Sequence, residues 1–150
     1  IKRARIIKMR LTLFSDYSIR VLLYLAVHND RLVNIQEIAD SYQISKNHLM
    51  KVIYQLGKIG YIETIRGRNG GIRLAKKTNE INIGQLVRQT EEDFNIVECF
   101  CVKTNTCPIA SICTVKGVLH QALRAFLEVL DTYTLQDIAE NKVHLKNLLQ

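Results

Sequence analysis

Residues 44–75 read ISKNHLMKVIYQLGKIGYIETIRGRNGGIRLA. Leu49, Val52, Ile53 and Leu56 recur at i, i+3, i+4 and i+7, the spacing of one helix face. Ser45 starts this helix, and Gly60 is well placed to end it. Tyr61, Ile62, Thr64 and Ile65 then favour a strand. Asn69-Gly70-Gly71 is a turn signal, because these residue types tolerate positive φ, and Ile72 and Leu74 supply the return strand. The expected product is a helix followed by a β-hairpin with Arg66, Arg68 and Arg73 around its tip.

Upstream, residues 13–28 place Ile19, Leu22, Leu23 and Ala26 on one helical face, with Ser15 or Asp16 as the expected cap. Asn34 opens a short second helix with Ile35, Ile38 and Ala39 inward, and Glu37 three residues on suggests a capping box. The segment 41–44 breaks that pattern before the third helix begins. Two helices joined by a tight turn and followed by a basic hairpin describe a winged helix-turn-helix. With its apolar stripe inward, the third helix leaves Lys46, Asn47, His48, Lys51 and Gln55 on its other sides. Asn has a matching edge on adenine and Lys on guanine. The candidate DNA-contacting set is therefore Ser45, Lys46, Asn47, His48 and Lys51 on the helix, with Arg66, Arg68, Asn69 and Gly70 on the wing. The plainer alternative is a solvated amphipathic helix and a basic loop; pattern, charge and turn chemistry together favour the DNA reader.

The charge distribution suits that partner. The net +7 divides into +4 in residues 1–8, +6 in residues 9–77 and −3 in residues 78–150. Met9 looks like a natural start, so residues 1–8 read as a basic leader or tag. A basic front supplies the sequence-independent attraction to phosphate. At 47 % apolar and 23 % charged, the composition is that of an ordinary globular protein. No stretch approaches the ~18 apolar residues that read as a membrane span. Asp16 and Arg20 interrupt the one run that imitates a secretion signal, so a cytoplasmic location is expected, where disulfides are disfavoured. The chain carries no Cys-His or Ser-His-Asp signature and no phosphate loop, so it does not read as an enzyme.

Residues 81–91 read as a further helix opened near Asn82. All four cysteines then fall in one fifteen-residue window, CFCVKTNTCPIASIC, at 99–113, inside a loop spanning roughly 93–113. The spacing C-x-C-x5-C-x5-C lacks the short C-x2-C pairs usual for structural zinc. An iron–sulfur cluster fits it better, with zinc or metal-free thiols as alternatives. A long helix over 114–130 follows, with Val115, Val118, Leu119, Ala122, Phe126, Val129 and Leu130 as a continuous apolar stripe. That stripe calls for a second copy of the same helix, giving a two-fold homodimer and a roughly palindromic operator. Thr134 or Asp137 starts a last short helix.

The stretches FSDYSIRVLLYLA, ISKNHLMKVIYQLGKIGYIETIRGRNGGIRL, IGQLVR, VECF, NTCPIASIC and LDTYTLQDI resemble a superfamily of winged-helix iron–sulfur regulators, and within it the nitric-oxide-sensitive repressors. The resemblance runs from Met9 almost to the C-terminus. It implies a mainly α fold with a small β-hairpin wing and a long C-terminal dimerisation helix. It implies three cluster ligands at Cys99, Cys107 and Cys113, with Cys101 the competitor of Cys99 for the first place. It implies a fourth ligand at Asp16 of the partner subunit, against the simpler role of a helix N-terminal charge. The implied cofactor is a [4Fe–4S] cluster, with [2Fe–2S] the second choice. The implied mechanism is a cluster-bound dimer on its operator that nitrosylation releases. A second branch of the superfamily, which regulates cluster assembly, has a histidine three residues after its last ligand cysteine; here Lys116 stands there. A zinc- or thiol-responsive winged-helix regulator is the remaining alternative. The chain accordingly divides into the leader 1–8, a reading head 9–78, a linking helix and cysteine loop 79–113, and a dimerisation helix and tail 114–150.

Overall fold

The computed structural model describes residues 9–149; the basic leader lies outside the described residues. Seven α-helices and one two-stranded antiparallel hairpin follow in chain order: α1 Leu13–Val27, α2 Ile35–Tyr42, α3 Lys46–Ile59, β1 Ile62–Ile65, β2 Gly71–Leu74, α4 Ile83–Thr90, α5 Thr114–Asp131, α6 Leu135–Ile138 and α7 Lys142–Leu148. Short 3-10 turns lie at Thr78–Glu80 and Glu98–Phe100.

The centre of the core is α1. Val21, Leu22 and Val27 are fully buried, α3, the hairpin, α4, α6 and α7 pack around this helix, and α2 packs on α3. Its N-cap is Thr12, whose hydroxyl accepts from the Ser15 amide at 3.3 Å, rather than the expected Ser15 or Asp16. The helix therefore starts earlier, and Asp16 becomes a first-turn acid favourable to the helix dipole. Asn34 and Glu37 form the expected capping box on α2. Gln43 then adopts the left-handed conformation (φ 53°), and its side-chain amide donates to the Asp40 carbonyl at 2.7 Å. This turn sends α3 across α2. On α3, Leu49, Val52, Ile53 and Leu56 are buried as the stripe predicts, and Gly60 ends the helix at φ 90°.

The hairpin register pairs Ile62 with Leu74, Glu63 with Arg73, Thr64 with Ile72 and Ile65 with Gly71. Reciprocal backbone bonds between Val33 and Ile72, 2.9 and 3.0 Å, seat the wing on the segment before α2. The turn differs from expectation. Positive φ falls at Gly67, not in Asn69-Gly70-Gly71. Gly70 and Gly71 are needed because a Cβ on Gly70 would strike the Ile65 carbonyl, and one on Gly71 would lie 2.8 Å from the Val33 carbonyl oxygen.

The chain after α5 folds back onto the front. Leu135 is fully buried in the shared core, and residues 81–83 and 133–135 exchange backbone bonds of 2.8 and 3.0 Å. The α7 helix, which periodicity did not suggest, ends with the Leu149 carbonyl accepting from the Ser41 hydroxyl at 3.0 Å. No described helix is long and apolar enough to cross a membrane.

Candidate nucleic-acid interface and cysteine loop

Lys46, Asn47, Met50, Lys51, Tyr54, Gln55 and Lys58 form the exposed side of α3, opposite its buried stripe. The helix carries no acidic residue. At its N-cap, Ser45 is exposed and makes no capping hydrogen bond, so its hydroxyl and the first α3 amides are available to an anion. His48 is exposed and leans toward Tyr17 of α1, ring centroids 6.5 Å apart. On the wing, Arg66, Arg68 and Asn69 are exposed at the tip. Among the described residues, neither these two arginines nor Lys46 and Lys51 have an acidic partner. Arg73 departs from expectation: it sits within β2, and its Nε donates to Glu63 at 2.8 Å across the hairpin.

The cysteine loop hangs from the end of α4 and is pinned at several points. Glu98 accepts from the Thr106 amide at 2.9 Å and from its hydroxyl at 2.7 Å. These bonds hold the Glu98 carboxyl below the usual carboxylate range. They tie together the residues that precede Cys99 and Cys107. Phe100 lies flat on His120 of α5, centroids 3.7 Å apart and planes within 1°. His120, exposed on α5, thereby holds the loop against that helix. Cys113 is the N-cap of α5. Hydrogen bonding to Thr104, first from its side chain, lowers the Cys101 thiol from its ordinary value.

All four cysteines are free thiols and half-buried. Soft, unlocked thiols on a constrained loop match the donor chemistry of an iron–sulfur cluster. Among the described residues, no three His, Cys, Asp or Glu side chains gather as they would around a single metal ion. Asp16 is remote in sequence and forms a two-point ion pair with Arg20, both bonds 3.0 Å. That pair is about 40 % exposed on each side, so the carboxylate is reachable from outside.

Two contacts that periodicity could not reveal join the root of this loop to the start of α1. Glu91, the residue after α4, accepts from the Thr12 amide at 2.8 Å and the Thr12 hydroxyl at 3.0 Å. One turn deeper, the buried hydroxyls of Ser15 and Thr90 lie 2.7 Å apart. Thr90 also donates to the Leu86 carbonyl at 3.0 Å, so Ser15 is the donor between the two hydroxyls. Toward α5, Arg88 in the last turn of α4 forms a two-point ion pair with Asp131, one bond of 2.8 Å, and at the N-cap of α4 the Asn82 side-chain amide donates to the Asp131 carbonyl at 2.6 Å. The pairing with Arg88 lowers the Asp131 carboxyl from its ordinary value.

The Rrf2 family model, described as an iron-dependent transcriptional regulator, matches residues 11–141. The chain belongs to the Rrf2 family. Within Rrf2, the HTH-type transcriptional regulator NsrR of Bacillus licheniformis is 62 % identical over 142 residues, covering 94 % of this chain and 99 % of that protein. NsrR of Bacillus subtilis is 57 % identical over 143 residues, covering 95 % and 98 %. The chain is thus a DNA-binding transcriptional regulator of the NsrR type and not an enzyme. Two solved Rrf2-like structures share the fold. T. potens IscR superposes with a TM-score of 0.71 at 24 % identity, covering 89 % of this chain and 88 % of that one. CymR of B. subtilis superposes with a TM-score of 0.72 at 23 % identity, covering 89 % and 98 %.

Replacing Thr90 with Val removes the acceptor of a buried Ser15 hydroxyl. Urea unfolding should register a loss of about 1–3 kcal/mol, the usual cost of stranding a buried donor.

Proposed function

We propose that this chain is a repressor that responds to nitric oxide, acting in the cytoplasm as a homodimer on a roughly palindromic operator. The observation that carries this reading is the two-contact junction of Thr12 and Ser15 with Thr90 and Glu91, which ties the cysteine-bearing loop to the helix that supports α3. In this reading Ser45, Lys46, Asn47, His48 and Lys51 enter the major groove, and Arg66, Arg68, Asn69 and Gly70 grip the backbone or minor groove beside it. Cys99, Cys107 and Cys113 hold the cluster, with Asp16 of the partner subunit as the fourth ligand. Cys99 is preferred to Cys101 on the match of its VECF segment to the family, and the Glu98–Thr106 bonds tie the residues preceding Cys99 and Cys107. Three thiolates and one carboxylate fit a [4Fe–4S] cluster, with [2Fe–2S] the second choice, and a hard oxygen ligand at a soft site would leave one iron open to attack. When bound, the cluster supplies iron to which nitric oxide can attach. Arg20 pairs with Asp16 in the same helix, and the carboxylate remains about 40 % exposed. Lys116 occupies the position of the histidine of the cluster-assembly branch, and His120 is engaged by Phe100.

The dimer rests on α5. None of its residues is buried; Val115, Val118, Phe126 and Val129 are 63, 57, 45 and 58 % exposed on one side, while Leu127 and Leu130 pack on the core from the other. Burying the exposed half of each such side chain is worth about 1 kcal/mol, which a second copy would provide along the stripe. The chain then divides by role into the reading head 9–78, the linker and sensor loop 79–113, and the dimer helix with its tail 114–150.

Fluorescence anisotropy on operator DNA, using anaerobically purified protein, tests the reading. Nitric oxide should abolish binding, and unchanged affinity would refute it. Before nitric oxide is added, Arg68→Ala should lower affinity and reduce the slope of log K against log salt by about 1.

A further inference from the structure

The exposed side of α3 is not wholly polar. Met50 is 49 % exposed and Tyr54 64 % exposed, one turn apart, on the side of the helix away from Leu49, Val52, Ile53 and Leu56. A single exposed methionine on a protein surface is ordinary. The position of this one is not. Met50 sits in the second turn of α3, flanked by Asn47 and Lys51, and Lys46 lies one turn before it. The N-terminal part of such a helix is the part that meets base edges. Tyr54 is braced by Lys58, whose ammonium lies 5.6 Å from the ring centroid. Lys46, Lys51 and Lys58, with no acid anywhere on α3, give the surface around this apolar pair a positive field.

An occupant must therefore be polyanionic around its edge and apolar at the point that meets Met50. The major groove of DNA presents an apolar group of methyl size only where thymine carries its C5-methyl; cytosine offers just a C5–H, and the remaining groups there are hydrogen-bond donors or acceptors. We infer that Met50 is a specificity-determining residue that packs on a thymine methyl in each half-site. Tyr54 extends the same apolar surface away from the helix start. The long, unbranched thioether suits this contact, because it adjusts to the methyl without a fixed rotamer. The inference rests on the DNA-reading assignment of α3 and adds to it one base and the side chain that selects it.

The test uses the anaerobically purified full chain and a duplex recovered by selection from a randomised pool. Each thymine of that duplex is replaced in turn by deoxyuridine, which deletes only the methyl group. Affinities are measured for the unaltered protein, Met50→Ala and Met50→Leu. At one thymine per half-site, deoxyuridine should weaken the unaltered protein about fourfold, the worth of one methyl-sized apolar contact. The same change should leave Met50→Ala indifferent, while Met50→Leu keeps most of the discrimination. Met50 lies outside the core, so both variants retain the fold. Methyl sensitivity at no thymine, or equal sensitivity in Met50→Ala, would overturn the inference while leaving the DNA-reading assignment intact. Recovery of no duplex at all would remove that assignment and the inference together.

Discussion

Thr12 sends both its amide and its hydroxyl to one carboxylate oxygen of Glu91, while Ser15 and Thr90 share a hydrogen bond in the buried space just behind. The rest of the molecule is arranged around this joint. On one side begins α1, the helix whose Val21, Leu22 and Val27 vanish into the core and against which α3 and the wing are set. On the other side α4 ends at Thr90 and the cysteine loop begins near residue 93. A displacement of residues 90–91 cannot leave the first turn of α1 untouched, because both of its polar anchors belong to that pair. Asp16 lies in the same turn. The loop is held elsewhere by small, local contacts, Glu98 with Thr106 and Phe100 with His120, which fix its shape without burying it.

Charge follows the same division. Away from the reading surface, arginines are neutralised in pairs: Arg20 by Asp16, Arg31 by Glu37, Arg73 by Glu63 and Arg88 by Asp131. Such exposed pairs contribute little to stability. Among the described residues, Lys46, Lys51, Arg66 and Arg68 on α3 and the wing tip have no acidic partner, so their charge is free to meet phosphate.

Much of this was legible in the sequence where the controlling interaction is local. The α3 stripe, the Asn34–Glu37 capping box, the Gly60 stop and the hairpin all depend on residues a few positions apart, and all occur as their spacing suggests. The cap of α1 was misplaced because Thr12 is stabilised by Glu91, seventy-nine residues away, and such pairing leaves no periodic trace. The wing glycines were recognised as a turn for the wrong reason: Gly70 and Gly71 admit close-passing carbonyls, while Gly67 carries the positive φ. Arg73 looked like part of the tip until the register placed it opposite Glu63. The flat stack of Phe100 on His120 joins two positions that carry no common motif. Membership of the Rrf2 family was written in the cysteine loop and wing together.

The exposed apolar side of α5 and the free thiols of the loop belong to one account, in which two chains meet along α5 and each holds an iron–sulfur cluster. Anaerobic native mass spectrometry measures chains, iron and sulfide in a single species and so tests that account most directly. The expected result is a dimer with one [4Fe–4S] cluster per chain, from which Cys107→Ala removes the cluster mass without removing the second chain. A monomer, or a dimer carrying zinc or no metal after strictly anaerobic isolation, would contradict it.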